Sequence, residues 1–226
     1  MMSFDTLYKI DEIAAWLEMG VDAVITLLAV FIAYRYREFW LFKLLIGAYG
    51  CLLMGDLFAA LHYTITGVWP FIFSAADISY LGFYCFLIAI DLELLGALKE
   101  QERQVAQQYR YTALIAAVVV ILCNIWYITI YPDIIICYII YCIPFSFLGY
   151  YTLLLFLTSR KTRGEAPSMY AYHTMVSLYI VMELVMWYIS SITVSEIHLL
   201  LSIVATLMLY LPTVLLLPTA KKGLGL

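Results

Sequence analysis

Seven long apolar segments occupy most of this chain, and they limit the folds open to it. A helix needs about 20 apolar residues to cross the ~30 Å hydrocarbon layer of a membrane, and each segment meets that length. The segments do not alternate with period two, which favours helices over a β-barrel. They cover residues 14–34, 42–63, 71–95, 111–130, 134–157, 170–192 and 197–217. The sequence therefore predicts an all-α integral membrane protein, with one seven-transmembrane-helix bundle over residues 1–226.

The composition supports a membrane location. Hydrophobic residues make up 65% of the chain and charged residues 12%, with a mean hydropathy of +0.97. Soluble domains have an apolar share nearer ~45–50%. Phosphate-binding loops and nucleotide-binding fingerprints are absent from the sequence. The short basic loops match an anionic leaflet, so no nucleic-acid partner is predicted.

The basic residues predict the orientation of the bundle. If the chain crosses the membrane seven times, all but one of its 12 Lys and Arg residues lie on the same side, and Lys9 lies opposite. The positive-inside rule then places the N-terminus outside and the C-terminus in the cytoplasm. The residues on the predicted cytoplasmic side are Arg35, Arg37, Lys43, Lys99, Arg103, Arg110, Arg160, Lys161, Arg163, Lys221 and Lys222.

Acidic residues and histidines gather in the predicted outer half. Asp56 lies about 14 residues, or ~21 Å, into the second span, and Glu183 reaches a similar depth in the sixth. No Lys or Arg accompanies them, so the carboxyl groups must be protonated, hydrogen-bonded, or neutralised by a bound cation or metal. The sequence predicts an acidic vestibule formed by Glu18, Asp22, Asp56, Asp77, Glu183, Glu196, His62 and His198.

This vestibule predicts a binding site for a small ligand or cation that enters from outside. Ionisable groups inside a membrane are costly and commonly serve a function. Aromatic side chains at the same level, including Trp69, Tyr63 and Tyr188, can stack on a ligand or hydrogen-bond to it. We expect Asp56, Asp77 and Glu183 to coordinate the ligand. The residues expected around them are Asp22, His62, Tyr80, Trp187 and His198.

Several of these polar residues also have an ordinary structural interpretation. Ser74 has the position of an N-cap, and Asp77 follows in the first turn, where the helix dipole favours an acid. Asp91 is the first residue of a charged run that predicts a solvated extension of the third helix. Residues 3–16 predict an interfacial stretch that turns into the first span. The five cysteines all lie within predicted spans and are interpreted as packing residues rather than disulfides.

Two short stretches resemble a known family. G-D-L-F in the second span and P-F-I-F-S-A-A-D-I-S-Y-L-G-F-Y before and within the third are similar to the multi-span sensory regions that precede diguanylate cyclase or histidine kinase domains in bacteria. The resemblance implies a sensor or receptor in the bacterial cytoplasmic membrane. Since the sequence ends at Leu226 without such a domain, it also implies a cytoplasmic signalling partner or further domain. The matching positions are Gly55, Asp56, Pro70, Ser74, Ala76, Asp77, Tyr80, Leu81 and Tyr84.

Two other classes remain open. A seven-span zinc hydrolase acting on lipids would use His62 and His198 with Asp56 and Asp77 as ligands for a divalent metal. Such enzymes carry H-x-x-x-H in their last span, whereas here His198 is followed four positions later by Ser202. A transporter of small molecules would couple to protons through Asp56 and Glu183. We favour the sensor, a non-enzyme that requires no cofactor.

Overall fold

Six helices account for most of the structure. The computed structural model describes residues 4–36, 40–70, 73–130, 135–161, 167–190, 204–205, 207–208 and 210–216. Within these ranges all regular secondary structure is helical, including a further helical stretch at 210–216. The helices are α1 (Phe4–Arg35), α2 (Trp40–Thr66), α3 (Ala75–Gly96), α4 (Glu100–Ile130), α5 (Ile135–Lys161) and α6 (Pro167–Ser190).

Five of these helices are long and apolar enough to cross a membrane. They are α2 to α5 together with the part of α1 from Glu12 to Arg35. Each overlaps one of the first five spans expected from the sequence. α6 extends over most of the sixth predicted span, and residues 204–205, 207–208 and 210–216 fall within the seventh. The all-helical architecture is therefore confirmed for the part of the chain that the structure describes.

Two local predictions are wrong. α1 is continuous from Phe4 to Arg35, so no turn separates an interfacial stretch from the first span. The sequence has no glycine or proline before Gly20 that would break this helix. The second error concerns the charged run after Asp91. α3 ends at Gly96, and the polar residues from Glu100 onward form the first turns of α4 instead of extending α3.

Contacts between the helices show that helices consecutive in the chain run in opposite directions, whereas α3 and α5 run in the same direction. At one end of the α1–α2 pair, the indole nitrogen of Trp16 donates to the Thr64 hydroxyl at 3.1 Å. Farther along, the Thr26 hydroxyl donates to the Tyr49 carbonyl at 3.1 Å. The directions of the other helices follow from the pairs Tyr80–Asp56, Tyr141–Asp77, Thr152–Asp91 and His173–Asp91.

This alternation gives the bundle one basic end. Arg35 ends α1, Lys43 opens α2, Arg103 lies in the first turns of α4, and Arg160 and Lys161 end α5. We call this the basic end and the other the opposite end. Depths given below are counted along each helix from its terminus at the basic end.

The core lies between α1, α2, α3, α5 and α6, and α4 packs on the outside of it. Leu45, Phe83 and Phe145 are almost completely buried where these helices meet. α4 packs mainly on α5 and exposes apolar residues such as Val118 and Leu122, as expected of a surface in contact with lipid. The predicted role of the five cysteines as packing residues is consistent with their all being free thiols.

Candidate functional site

Four carboxyl groups meet in the half of the bundle near the opposite end. We call Glu18, Asp22, Asp56 and Glu183 the carboxyl cluster. Asp56 and Glu183 each lie 16 residues from the start of their helices, at Trp40 and Pro167, which corresponds to a depth of about 24 Å. α1, α2 and α6 thus bring their acidic residues to a common level. The sequence predicts the similar depth of these residues, but only the structure shows that their side chains come together.

The closest approach within the cluster joins α1 to α2. The carboxyl groups of Asp22 and Asp56 are within hydrogen-bonding reach of each other. Asp22 is only 1% exposed, and neither of its oxygens finds a hydrogen-bond donor among the described residues. Two carboxylates in contact cannot both remain ionised without a proton or a cation between them. The contact between Asp22 and Asp56 therefore requires that at least one of the two negative charges be offset.

Glu18 and Glu183 complete the cluster. Glu18 lies one helical turn before Asp22 and is close enough to interact electrostatically with both Asp56 and Glu183. Glu183 is hydrogen-bonded to the Tyr179 hydroxyl, and Tyr179 is hydrogen-bonded in turn to Tyr84. These bonds connect the carboxyl cluster to a wall of tyrosines on α3 and α6.

Tyr80 links the cluster to α3. Its hydroxyl donates to Asp56 Oδ1 at 2.6 Å. This contact depends on Gly55, because a Cβ added there would lie 2.5 Å from a ring carbon of Tyr80. Gly55 thus leaves room for the Tyr80 ring, and Asp56 accepts a hydrogen bond from the Tyr80 hydroxyl.

We expect Gly55→Ala to separate Tyr80 from Asp56. The added methyl group overlaps the ring, and because no real Cβ tolerates such a contact, the ring must turn away. Overpacking of this kind costs about 1–3 kcal/mol of stability. Thermal unfolding of the purified variant measures the cost, with Gly50→Ala as the control because a Cβ at Gly50 meets no atom within 4 Å. Equal melting temperatures for the two variants would contradict this packing.

Asp77 lies apart from the carboxyl cluster and is held by three groups. Its Oδ2 accepts the Ser74 backbone N–H at 2.7 Å and the Ser74 hydroxyl at 3.0 Å, as in a capping box. Its Oδ1 accepts the Tyr141 hydroxyl at 2.9 Å. The Tyr141 ring packs edge-on against Tyr84 with centroids 6.2 Å apart. Asp77 therefore connects to the carboxyl cluster through this tyrosine wall, and its bonds to Ser74 cap α3.

The structure also places His62 away from the other predicted ligands. Nδ1 of His62 lies 3.0 Å from the Val68 carbonyl and 3.2 Å from the Thr66 hydroxyl, both of which follow it in the chain. Its ring packs on Phe58 with centroids 6.0 Å apart. These contacts join the last turns of α2 to the turn that follows, and they keep the His62 ring at the end of the helix.

Two further predicted site residues lie beyond the described side chains. His198 falls outside the described residues, and Trp187 belongs to α6 but its side chain is not described. In the described part of the chain, no three His, Cys, Asp or Glu side chains are grouped so as to hold a metal ion.

A second polar cluster, which the sequence did not indicate, is buried nearer the basic end. Asp91 is 0% exposed, so its predicted place in a solvated extension is wrong. Its Oδ2 accepts the Thr152 hydroxyl at 2.7 Å, and its Oδ1 lies 3.9 Å from Nδ1 of the equally buried His173. The Tyr172 hydroxyl and both His173 nitrogens have no hydrogen-bond partner within the described ranges. We call Asp91, Thr152, Tyr172 and His173 the inner cluster.

Depth could have indicated the inner cluster. Asp91 lies five residues from the end of α3 at Gly96, and His173 lies six residues from the start of α6 at Pro167. Both are therefore about 8–9 Å from the basic end. Because Asp91 was grouped with the charged run that follows it, its equal depth with His173 was not recognised. Asp91 in fact lies within α3, which ends only at Gly96.

The carboxyl cluster has no basic residue near it in sequence. No Lys or Arg occurs between Lys43 and Lys99, or between Arg163 and Lys221. The part of α2 that follows Lys43, all of α3 and all of α6 therefore contribute acids and tyrosines without a compensating cation. A proton or an organic ammonium group can offset the charge of these acids, and the aromatic walls suit the ammonium group.

No family model, no curated protein and no solved structure matches this chain.

Proposed function

We propose that this protein is a membrane sensor of receptor type that binds a small cation in the carboxyl cluster. The observation that carries the proposal is the contact between Asp22 and Asp56, with Glu18 and Glu183 beside it and no basic residue on the surrounding helix segments. Keeping these acids together inside an apolar bundle costs free energy. A ligand that supplies positive charge removes that cost.

The helices that carry the cluster suggest how binding is transmitted. Asp22, Asp56 and Glu183 belong to three different helices, and the Tyr80 hydroxyl ties the site to a fourth. A cation draws the carboxyl groups together, whereas an empty site leaves them repelling one another. Binding therefore shifts α1, α2 and α6 relative to α3. The same α3 carries Asp91 in the inner cluster, which extends the effect toward the basic end.

The proposal includes the topology of the bundle. Seven spans with the N-terminus outside and the C-terminus in the cytoplasm place the carboxyl cluster in the outer half of the membrane. Support comes from the distribution of Lys and Arg and from the common basic end of α1 to α5. The membrane is the bacterial cytoplasmic membrane, and a cytoplasmic partner receives the signal, as the resemblance to sensory regions implies.

Thermal unfolding of detergent-purified protein tests the proposal. Monovalent, divalent and organic ammonium chlorides are compared at matched ionic strength. We expect one class to raise the melting temperature saturably, with a stabilisation of about 2.7 kcal/mol at one hundred times its Kd. Glu93→Gln is the control, since Glu93 is an exposed acid outside the cluster, and it should respond like the wild type. A melting temperature that no cation changes would overturn the sensor proposal.

One observation favours a second function, proton-coupled transport of a small molecule. The carboxyl cluster and the inner cluster lie at two depths along α3 and α6, and both contain groups that can exchange protons. If the protein is a transporter, we expect protons to cross the membrane of liposomes that contain the wild type, and not of liposomes that contain Asp56→Asn. If liposomes with the wild-type protein remain impermeable to protons when a stabilising cation is present, proton-coupled transport is excluded and the sensor proposal stands.

A further inference from the structure

A groove between α3, α4 and α5 has a basic entrance and an apolar interior. Its volume is about 1170 Å³, and Arg103 and Arg110 line the part nearest the basic end. Farther along α4 the lining residues are Leu114, Ala117 and Ile121. The groove thus changes from cationic to apolar along a single helix.

The two arginines lie on one face of α4 and remain available to a ligand. They are seven residues apart, which is close to two helical turns. Both side chains are exposed, and neither forms an ion pair with any residue in the described ranges. Gln107, between them, lines the same groove. Together they offer several N–H donors to one anion.

The length of the apolar part matches one membrane leaflet. From Arg110 to Ile121 there are 11 residues, or about 16 Å of helix. Half of a ~30 Å hydrocarbon core is about 15 Å. A molecule with its charged group at Arg110 therefore has room for a chain that reaches the middle of the membrane.

The chemistry of the lining indicates the charge of that molecule. None of the described residues that line the groove is acidic. Tyr111 and Tyr150 line it near the arginines, at the level where amphipathic aromatic rings meet lipid headgroups. Guanidinium groups bind phosphate in a forked geometry that an ammonium group does not reproduce.

We propose that this groove binds an anionic glycerophospholipid. Its phosphate lies between Arg103 and Arg110, and one acyl chain follows Leu114, Ala117 and Ile121 along α4. A soluble phosphate satisfies only the arginines and leaves the apolar groove unused, which is why a lipid fits better. This site is independent of the carboxyl cluster and of the function proposed for it.

Native mass spectrometry of protein released from mixed micelles tests the proposal. Phosphatidylglycerol is offered beside phosphatidylcholine of the same chain length. We expect one phosphatidylglycerol to stay bound to the wild type, and the double variant Arg103→Gln/Arg110→Gln to hold it at least about tenfold more weakly. Arg160→Gln/Lys161→Gln is the matched control, because it removes two exposed charges from the same end but outside the groove.

A second variant tests the apolar part of the site. Ser146 on α5 lines the groove and is only partly buried, so Ser146→Phe places a ring in the interior while leaving both arginines in place. We expect it also to lose the lipid while its melting temperature stays near that of the wild type. Three results would overturn the proposal: equal loss in the Arg160/Lys161 control, equal retention of phosphatidylcholine, or displacement of the lipid by millimolar inorganic phosphate.

Discussion

Asp56→Asn is expected to raise the melting temperature of the cation-free protein and to abolish its stabilisation by the bound cation. Asparagine keeps an oxygen that can accept the Tyr80 hydroxyl, so the 2.6 Å contact with α3 is retained. The charge that faces Asp22, Glu18 and Glu183 is lost. Removing that repulsion should stabilise the free protein by about 1 kcal/mol, or roughly 2–4 °C for a chain of this size.

Cation binding by the same variant should weaken much more than stability improves. Removing one partner from a desolvated charge contact typically costs about 2 kcal/mol or more, which is at least about thirtyfold in Kd. Titration of the melting temperature against cation concentration measures both effects in one experiment. The site assignment is wrong if Asp56→Asn binds as well as the Glu93→Gln control.

Thr152→Val is expected to destabilise the protein by about 1–3 kcal/mol. The Thr152 hydroxyl donates to Asp91 at 2.7 Å, and both side chains are 0% exposed. Valine has nearly the same shape, so packing is kept while the carboxyl group loses this donor. An unsatisfied buried polar group is costlier than the net value of the bond that satisfied it. Unfolding by denaturant in mixed micelles measures the difference.

A double variant separates this effect from a simple loss of packing. Asp91→Leu/Thr152→Val removes both partners, so no carboxyl group is left without a donor, and its stability should recover most of the loss. Thr129→Val is the control, because the Thr129 hydroxyl bonds only to the Trp126 carbonyl at an exposed position. If Thr152→Val were as stable as Thr129→Val, the inner cluster would have no energetic role.

The two clusters give the bundle an uneven distribution of polarity. The carboxyl cluster is assembled near the opposite end by α1, α2 and α6, and the inner cluster near the basic end by α3, α5 and α6. Two helices contact both clusters. α3 carries Tyr80 and Asp91, and α6 carries Glu183 and His173. A displacement of either helix at one cluster therefore reaches the other, which is the connection that a sensor requires.

The helical architecture followed from the sequence because the membrane imposes it. Every backbone polar group must be satisfied inside an apolar layer, so long apolar segments fold as helices whatever their partners are. The first five spans each overlap one of the helices on this basis, although α4 begins eleven residues before the predicted start of the fourth span. The interfacial stretch was misjudged because its charges indicated a separate surface segment, while the uninterrupted chain from Phe4 to Arg35 continues as one helix.

Part of the candidate site could also be predicted. Asp56 and Glu183 were assigned to one level because depth along a helix depends only on residue number. The pairing of Asp22 with Asp56, and the fit of the Tyr80 ring over Gly55, depend on how α1 and α3 are rotated against α2. The rotation of each helix about its axis is set by side-chain packing. Because the helix surfaces are almost uniformly apolar, no pattern in the sequence indicates which face packs inward.

The sequence by itself determined that the chain forms apolar helices with a basic end and a group of acids near the opposite end. Only the tertiary structure decided which polar residues meet. It placed Asp77 in a helix cap and the His62 ring at the end of α2, and it brought Asp91 to His173 inside the bundle. The physical reason is that apolarity acts locally along the chain, whereas contacts between polar side chains depend on the register and rotation of helices distant in sequence.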